Sequence, residues 1–310
     1  MNETDISITS PADTLAMVPY LLGFHPEDSV VLIVTSENRV VVTARFDLAL
    51  VTEPEQLRIQ IRGITQGEGL GFICVTYSRT RDQGRAAQEV IEEFLGSDMV
   101  LGIEVWGSRY ALYRCECASC ELGEPIAESS ECAQMASDLG FTALGTRSEL
   151  EKLITHPDGL ALIQARELWR KTIQEVQMLE NPKEHAEFIL DQLSERPPDD
   201  SMLITLGVLV HQISVRDHLW IKMRRETALE SFELWRAVVH AVPDEHSVPA
   251  LCLASMSAWL SGNGALQVIC FTRAAELDRN YSMVDLLEKI NLAALPPDAW
   301  AGLLNQYQHV

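Results

Sequence analysis

Residues 18–34 read VPYLLGFHPEDSVVLIV, and this stretch decides how the first half of the chain folds. Gly23 suits the positive φ angle that ends a helix, and Pro26 prevents the helix from resuming. The apolar run from Val30 to Val34 is typical of a short buried strand. The stretch therefore predicts a helix, a tight turn and then the first strand of a sheet.

The segments on either side extend this arrangement. Ser10-Pro11-Ala12-Asp13 predicts the start of the helix, with Ser10 as N-cap and Pro11 at the first helical position. Downstream, the apolar periodicity predicts strand, helix, strand, helix, strand and strand at residues 40–46, 54–66, 72–77, 82–95, 99–106 and 109–114. This order predicts a mixed sheet flanked by helices.

Past about residue 148 the strand signals end and about seven to nine helices follow. Ser214-Val215-Arg216-Asp217 predicts one helix start, with Ser214 as N-cap and Asp217 returning to it. Residues 254–290 predict a helical hairpin with its turn at Gly262-Asn263-Gly264, similar to one tetratricopeptide unit. We predict a mixed α/β domain over 1–145, including a cysteine-bearing loop at 115–132, and an all-helical bundle domain over 146–310.

The charge of the chain limits the classes of partner that we expect it to bind. The formal net charge is −21, and the basic residues form no run longer than Arg224-Arg225, so we do not expect direct binding to nucleic acid or to anionic membranes. The N-terminal MNETDISITS lacks the features of a signal peptide, and no apolar run reaches the roughly 18 residues of a membrane span. We predict a cytoplasmic protein.

The seven cysteines include a dense group. Cys115, Cys117 and Cys120 follow a predicted strand directly, and Cys132 comes twelve residues later. Because zinc takes four ligands at tetrahedral corners, these cysteines are candidate zinc ligands. The spacing lacks the two C-x2-C pairs of typical zinc sites, so a redox-labile disulfide and unliganded thiols with no cofactor remain alternatives.

Two charged pairs are candidate ligand contacts. Arg45 and Asp47 lie on one face at the end of the second strand, and Arg216 and Asp217 lie at a helix start. Each pair either contacts a ligand in a cleft or forms a local ion pair. Trp259 of the predicted hairpin is a candidate partner contact. No G-x-S-x-G, H-E-x-x-H or P-loop motif accompanies these residues, which favours a non-enzymatic protein.

Several of these segments together resemble the DUF4192 family of actinobacteria and their phages, to which no function is assigned. The resemblance rests on residues 10–13, 18–31, 42–47, 215–220, 258–265 and 281–283. It implies a Cys- and Pro-rich stretch after the strand at 109–114, which Cys115, Cys120, Gly123 and Pro125 approximate without the paired cysteine and double proline of the family.

Three hypotheses for function follow. The first is a non-enzymatic regulatory module whose helical half offers a groove to a protein partner. The second is a small-molecule-binding protein or enzyme with a pocket between the halves, using Arg45, Asp47, Arg216 and Asp217. The third is zinc-stabilised assembly through the cysteine-bearing loop.

Overall fold

The computed structural model describes residues 6–65, 69–127, 130–139, 143, 145–155, 159–195, 197–293, 295–297, 299–300 and 302. The chain divides into two compact units. The first runs to Glu149 and includes Leu292–Pro296, and the second comprises Leu150–Asn291 and the residues from Pro297 onward. The domain boundary predicted between residues 145 and 146 stays a prediction, because residues 140–142 and 144 lie outside the described part of the chain.

The first unit is a mixed α/β structure, as the sequence predicts. Its elements are α1 (Pro11–Leu22), β1 (Ser29–Ser36), β2 (Arg39–Asp47), α2 (Pro54–Arg62), β3 (Leu70–Ser78), α3 (Arg81–Leu95), β4 (Met99–Trp106), β5 (Arg109–Leu112), α4 (Ala118–Leu122), β6 (Glu124–Pro125) and α5 (Glu131–Asp138). The short helix α6 (Arg147–Lys152) follows.

The strands of the described residues form one six-stranded sheet in the order β2-β1-β3-β4-β5-β6. Only β3 and β4 pair in parallel, and α3 connects them; the other neighbours are antiparallel. Strand β1 lies between β2 and β3, and its residues from Val30 to Val34 are at most 1% exposed. The apolar run from Val30 to Val34 is therefore an interior strand, buried on both faces.

The helix and turn before β1 follow their local signals. The Ser10 hydroxyl accepts a hydrogen bond from the Asp13 amide at 3.1 Å, which caps α1. Gly23 ends the helix with φ +82°, and Phe24 is buried directly after it. The predicted helix, turn and strand are thus confirmed.

One face of the sheet is covered by α2 and α3. Helix α3 lies so close to β3 that a Cβ atom on Gly84 would meet the Thr76 and Ser78 hydroxyl oxygens at about 3 Å. Beside this contact, Glu104 of β4 is fully buried and forms ion pairs with Arg81 at 3.0 Å and Arg85 at 3.2 Å. A buried carboxylate is stable only when it is paired in this way.

The second unit is all-helical. Its helices are α7 (Leu160–Gln177), α8 (Pro182–Glu195), α9 (Asp200–Leu209), α10 (Ile213–Lys222), α11 (Ala228–Ala241), α12 (Val248–Leu260), α13 (Gly264–Leu277) and α14 (Ser282–Leu292). Every residue of α12 is buried, and α12 packs against α11 and α13. The hairpin of α12 and α13 turns at Gly262 with φ +83°, while its likeness to a tetratricopeptide unit stays a prediction.

The predicted start of α10 is wrong. The helix begins at Ile213, and the Val215 and Arg216 amides both bond to the Gln212 carbonyl. Asp217 does not return to a cap at Ser214, because its carboxylate accepts two hydrogen bonds from Arg216 at 2.9 and 2.7 Å. The ion pair of neighbouring side chains therefore replaces the expected capping box.

An aromatic cluster joins α7 to two turns of the second unit. The His246 ring stacks on Trp169 with centroids 4.6 Å apart, and His211 contacts both rings edge-on. Burial lowers the pKa of His211, and burial together with the neighbouring His211 lowers the pKa of His246. Both imidazoles are thus favoured in the neutral form by the fold.

This cluster predicts an acid-sensitive second unit. Because the folded state holds both imidazoles below their ordinary pKa of 6.5, the unfolded state takes up more protons as the pH falls through that value. We expect the free energy of unfolding to decrease from pH 7 to pH 5, and to decrease less in a His211→Gln/His246→Gln variant. Urea denaturation at each pH measures both slopes; equal slopes would contradict the prediction.

The buried carboxylate of the first unit predicts a second effect on stability. Glu104→Gln removes one charge and leaves Arg81 and Arg85 without their partner, so we expect a loss of about 3 kcal/mol in unfolding free energy. Hydrogen exchange of β3 and β4 peptides in urea reports on this unit alone. Glu93→Gln, at an exposed position of α3, is the control and should change stability by less than about 0.5 kcal/mol.

Candidate functional site

Three thiols meet at the end of the sheet. The sulfur atoms of Cys115, Cys117 and Cys120 all lie within 4.8 Å of one another, and those of Cys115 and Cys117 are 3.2 Å apart. Cys120 is buried, Cys115 is half-buried and Cys117 is exposed. The cluster is therefore fixed on one side by packing and open to solvent on the other.

The backbone turns sharply to build this cluster. After β5, the Tyr113 amide still bonds to the Gly102 carbonyl of β4 at 2.9 Å. Arg114 then takes the left-handed conformation with φ +59°, and the Cys115 amide bonds back to Leu112 at 3.2 Å. The chain reverses immediately and enters α4, which brings Cys120 back toward Cys115.

Two arginines hold α4 to the sheet. Arg109 donates to the Gly123 carbonyl at 2.7 Å and to the Leu122 carbonyl at 3.3 Å. Arg81 donates through Nη1 to the Glu121 carbonyl at 3.0 Å, while its Nε bonds to the buried Glu104. Carbonyls at the end of a helix have no partner within it, so these cations satisfy them and anchor the loop.

The thiols differ in acidity. A hydrogen bond with the Ser119 hydroxyl, 3.3 Å from the Cys117 sulfur, and further bonds from the Cys120 amide and the Cys115 thiol lower the pKa of Cys117 to about 6. Burial raises the pKa of Cys120 to about 11. At neutral pH the exposed thiol is thus ionised and the buried one is not.

The sulfur spacing suits a thiophilic metal ion. Zinc–sulfur bonds of about 2.3 Å at tetrahedral angles put two sulfurs about 3.8 Å apart. The sulfurs of the cluster lie within 4.8 Å of one another, and the Cys115 and Cys117 sulfurs are 3.2 Å apart, so only small movements would bring them to this distance. Within the described residues, no fourth His, Cys, Asp or Glu joins the three within 4.8 Å. The site thus offers three protein ligands and one further position.

Cys132, the fourth predicted ligand, is not part of this cluster. It lies on α5, where its thiol bonds to the Ser7 carbonyl at 3.3 Å and packs with Met17 and Ala136. The predicted cysteine-bearing loop at 115–132 is also more ordered than expected, because it contains α4 and β6.

Arg45 and Asp47 form a closed pair at 2.5 Å. The Arg45 guanidinium also donates to the Ser29 hydroxyl at 2.8 Å and the Glu27 carbonyl at 3.5 Å, and its side chain is 14% exposed. These contacts tie the end of β2 to the start of β1. They account for the burial of Arg45 without a ligand.

Arg216 and Trp259 lie inside the second unit. The buried Arg216 donates to Asp217 and, at 2.6 Å, to the Tyr281 hydroxyl. Trp259 is 4% exposed, and its ring lies edge-on to Trp300 with centroids 6.3 Å apart. Both side chains are therefore packed within the helical core rather than presented on its surface.

A cleft of about 500 Å³ lies beyond the carboxyl ends of β3 and β4. Its lining residues are Pro26, Glu27, Asp28, Tyr77, Ser78, Arg79, Val105 and Gly107. Ligands of mixed α/β sheets bind at such strand ends. Two of the charged groups in this lining pair with each other, since Arg79 bonds to Asp28 at 3.2 Å.

The sequence does not predict that Ser119, Arg81 and Arg109 belong to the thiol site. Ser119 has a local signal, because a hydroxyl between two cysteines can bond to either thiol. The arginines have none, because they reach α4 only through the pairing of β3 with β4 and of β4 with β5. Long-range anchors of this kind become visible only in the folded chain.

The acidity of Cys117 is directly testable. We expect its alkylation by iodoacetamide to rise with a midpoint near pH 6, because the thiolate is the reacting species. Ser119→Ala removes the principal hydrogen bond and should move the midpoint to higher pH. Mass spectrometry of the Cys117 peptide measures this, with buried Cys252 as the unreactive control; a midpoint above pH 8 in the unaltered protein would refute it.

Comparisons with known proteins identify the family of this chain. Within the described residues, no helix has both the length and the apolar character to span a bilayer. Searches of curated proteins and of solved structures found no match. The profile of DUF4192, a domain of unknown function, matches residues 11–298 and so covers both units. The chain therefore belongs to the DUF4192 family.

Proposed function

We propose that this DUF4192 protein is a non-enzymatic regulatory protein that binds one zinc ion through Cys115, Cys117 and Cys120. The observation that carries the proposal is the convergence of three thiol sulfurs within 4.8 Å on an anchored loop. Arg81 and Arg109 hold the loop in place without the ion, so little ordering entropy opposes binding. Preorganised ligands of this kind favour affinity.

The ligand chemistry favours zinc among common ions. Thiolates are soft ligands that suit zinc and copper(I), whereas calcium and magnesium require oxygen. Binding releases a proton from each thiol that is still protonated, so affinity increases with pH. The Cys120 thiol, whose pKa is about 11, is protonated at neutral pH and releases one such proton.

The regulatory role that we propose depends on the fourth coordination position of the ion. Three cysteines leave one tetrahedral position, which water, a small anion or a side chain of a partner protein can fill. A partner's ligand at this position is the zinc-stabilised assembly expected from the sequence. We propose a protein partner because the net charge of −21 opposes nucleic acid and anionic membranes. The proposed compartment is the cytoplasm, where thiols stay reduced.

Small-molecule binding or enzymatic turnover has less support. In the cleft beyond β3 and β4, Arg79 is already paired with Asp28, and beside it Arg45 is paired with Asp47. Arg216 is buried against Asp217 and Tyr281. Each of these charged groups thus has an internal partner, whereas the three thiols have the spacing of ligands around one metal ion.

The test is a metal titration of the full chain under anaerobic, reducing conditions. We expect about one equivalent of zinc to bind, and cobalt(II) in its place to give thiolate charge-transfer absorption. Cys117→Ser and Cys120→Ser should each reduce bound zinc to below about a tenth of an equivalent. Elemental analysis and absorption spectra provide the two readouts.

Cys132→Ser is the matched control, because it removes a thiol outside the cluster, and it should bind zinc as the unaltered chain does. Light scattering during the titration measures assembly. Less than about a tenth of an equivalent of zinc in the unaltered protein, or equal loss in the Cys132→Ser variant, would overturn the proposal.

A further inference from the structure

We infer that Cys115 and Cys117 are a site of oxidation by hydroperoxides, and that the disulfide they form expels the metal ion. This inference rests on the proposed zinc binding and adds a way in which that binding is regulated. The same thiols would hold the ion under reducing conditions and release it under oxidising ones.

The spacing of the two sulfurs carries the inference. The Cys115 and Cys117 sulfurs are 3.2 Å apart, closer than the roughly 3.8 Å of two thiolates on one tetrahedral zinc ion. A disulfide bond is about 2.05 Å long, so the pair must approach by only about 1.2 Å. Neither sulfur has to leave the cluster for the bond to form.

Access determines which sulfur reacts first. Cys117 is exposed, and its sulfur lies 3.3 Å from the Ser119 hydroxyl, which can also bond to an oxidant oxygen. Cys120 is 4% exposed and faces the packed side of the loop. A dissolved hydroperoxide therefore meets Cys117 before Cys120, and the Cys115 sulfur, 3.2 Å from that of Cys117, can complete the reaction.

The reaction has two balanced steps. The Cys117 thiolate attacks one oxygen of the hydroperoxide, the O–O bond breaks, and the products are a Cys117 sulfenic acid and an alkoxide, or hydroxide from hydrogen peroxide, which takes up a proton. The Cys115 thiol then attacks the sulfenic sulfur, forms the S–S bond and releases water. Two thiols lose two electrons in total, and the hydroperoxide gains them.

Disulfide formation removes two of the three protein ligands. Only the Cys120 thiolate would remain for the ion, and a single thiolate does not hold zinc against water. The anchors of α4 do not involve the two oxidised sulfurs, since they run from Arg81 and Arg109 to backbone carbonyls. The loop can thus keep its position while the ion leaves, and a dithiol reductant restores both ligands with two electrons and two protons.

The experiment begins with the full chain loaded with zinc under reductant, which is then removed. Addition of one equivalent of hydrogen peroxide should release about one equivalent of zinc to a chromophoric chelator, with loss of two thiols. Peptide mapping after alkylation should find Cys115 linked to Cys117. A dithiol reductant and fresh zinc should restore the loaded form.

Two variants test the pairing in zinc-free protein. Cys120→Ser keeps the reacting pair and should form the disulfide at the rate of the unaltered chain. Cys115→Ser should form intramolecular disulfide at least about tenfold more slowly. An equal rate in Cys115→Ser, with Cys117 linked to Cys120, would overturn the inference.

The outcomes separate the two proposals. Failure to load zinc under reductant overturns the proposed function, and with it the metal release. Normal loading followed by peroxide treatment that leaves zinc bound, or that releases it without a Cys115–Cys117 disulfide, overturns only the inference. Cys132→Ser should behave as the unaltered chain in every arm, because its thiol lies outside the cluster.

Discussion

The first unit depends on the burial of β1. This strand is hydrogen-bonded to β2 on one side and β3 on the other, and Val30–Val34 has no face open to water. A slip of one residue would turn every side chain to the opposite face, so packing on both faces fixes the register. The position of β4 follows from β3, that of β5 from β4, and the cysteine loop leaves the sheet at the place this order defines.

The thiol cluster is a product of anchoring as much as of cysteine spacing. A flexible loop with three cysteines would lose conformational entropy when it closes on an ion. Here Arg81 and Arg109 bond to the terminal carbonyls of α4, and the buried Glu104 orients Arg81 in turn. The buried carboxylate of β4 and the loop that holds the three sulfurs thus belong to one connected set of contacts.

The sequence predicted those features that depend on neighbouring residues. The Ser10 cap, the Gly23 turn and the order of strands and helices all have local causes. The place of Cys132 does not, because its contact with Ser7 joins residues 125 apart. Tryptophan is a residue type that is common at protein interfaces, which made Trp259 a candidate, but its packing against Trp300 places it in the core. Three of the four predicted metal ligands meet because they lie within six residues of one another.

The contacts of Arg81 also link the position of α4 to Trp106. One guanidinium bonds to the sheet through Glu104 and to α4 through Glu121, and it lies over the Trp106 ring with its carbon 5.3 Å from the centroid. The ring in turn fills the space where a side chain on Gly123 would stand. A shift of α4 would therefore move the positive charge above this indole, so we expect the fluorescence emission of Trp106 to change with the position of the loop.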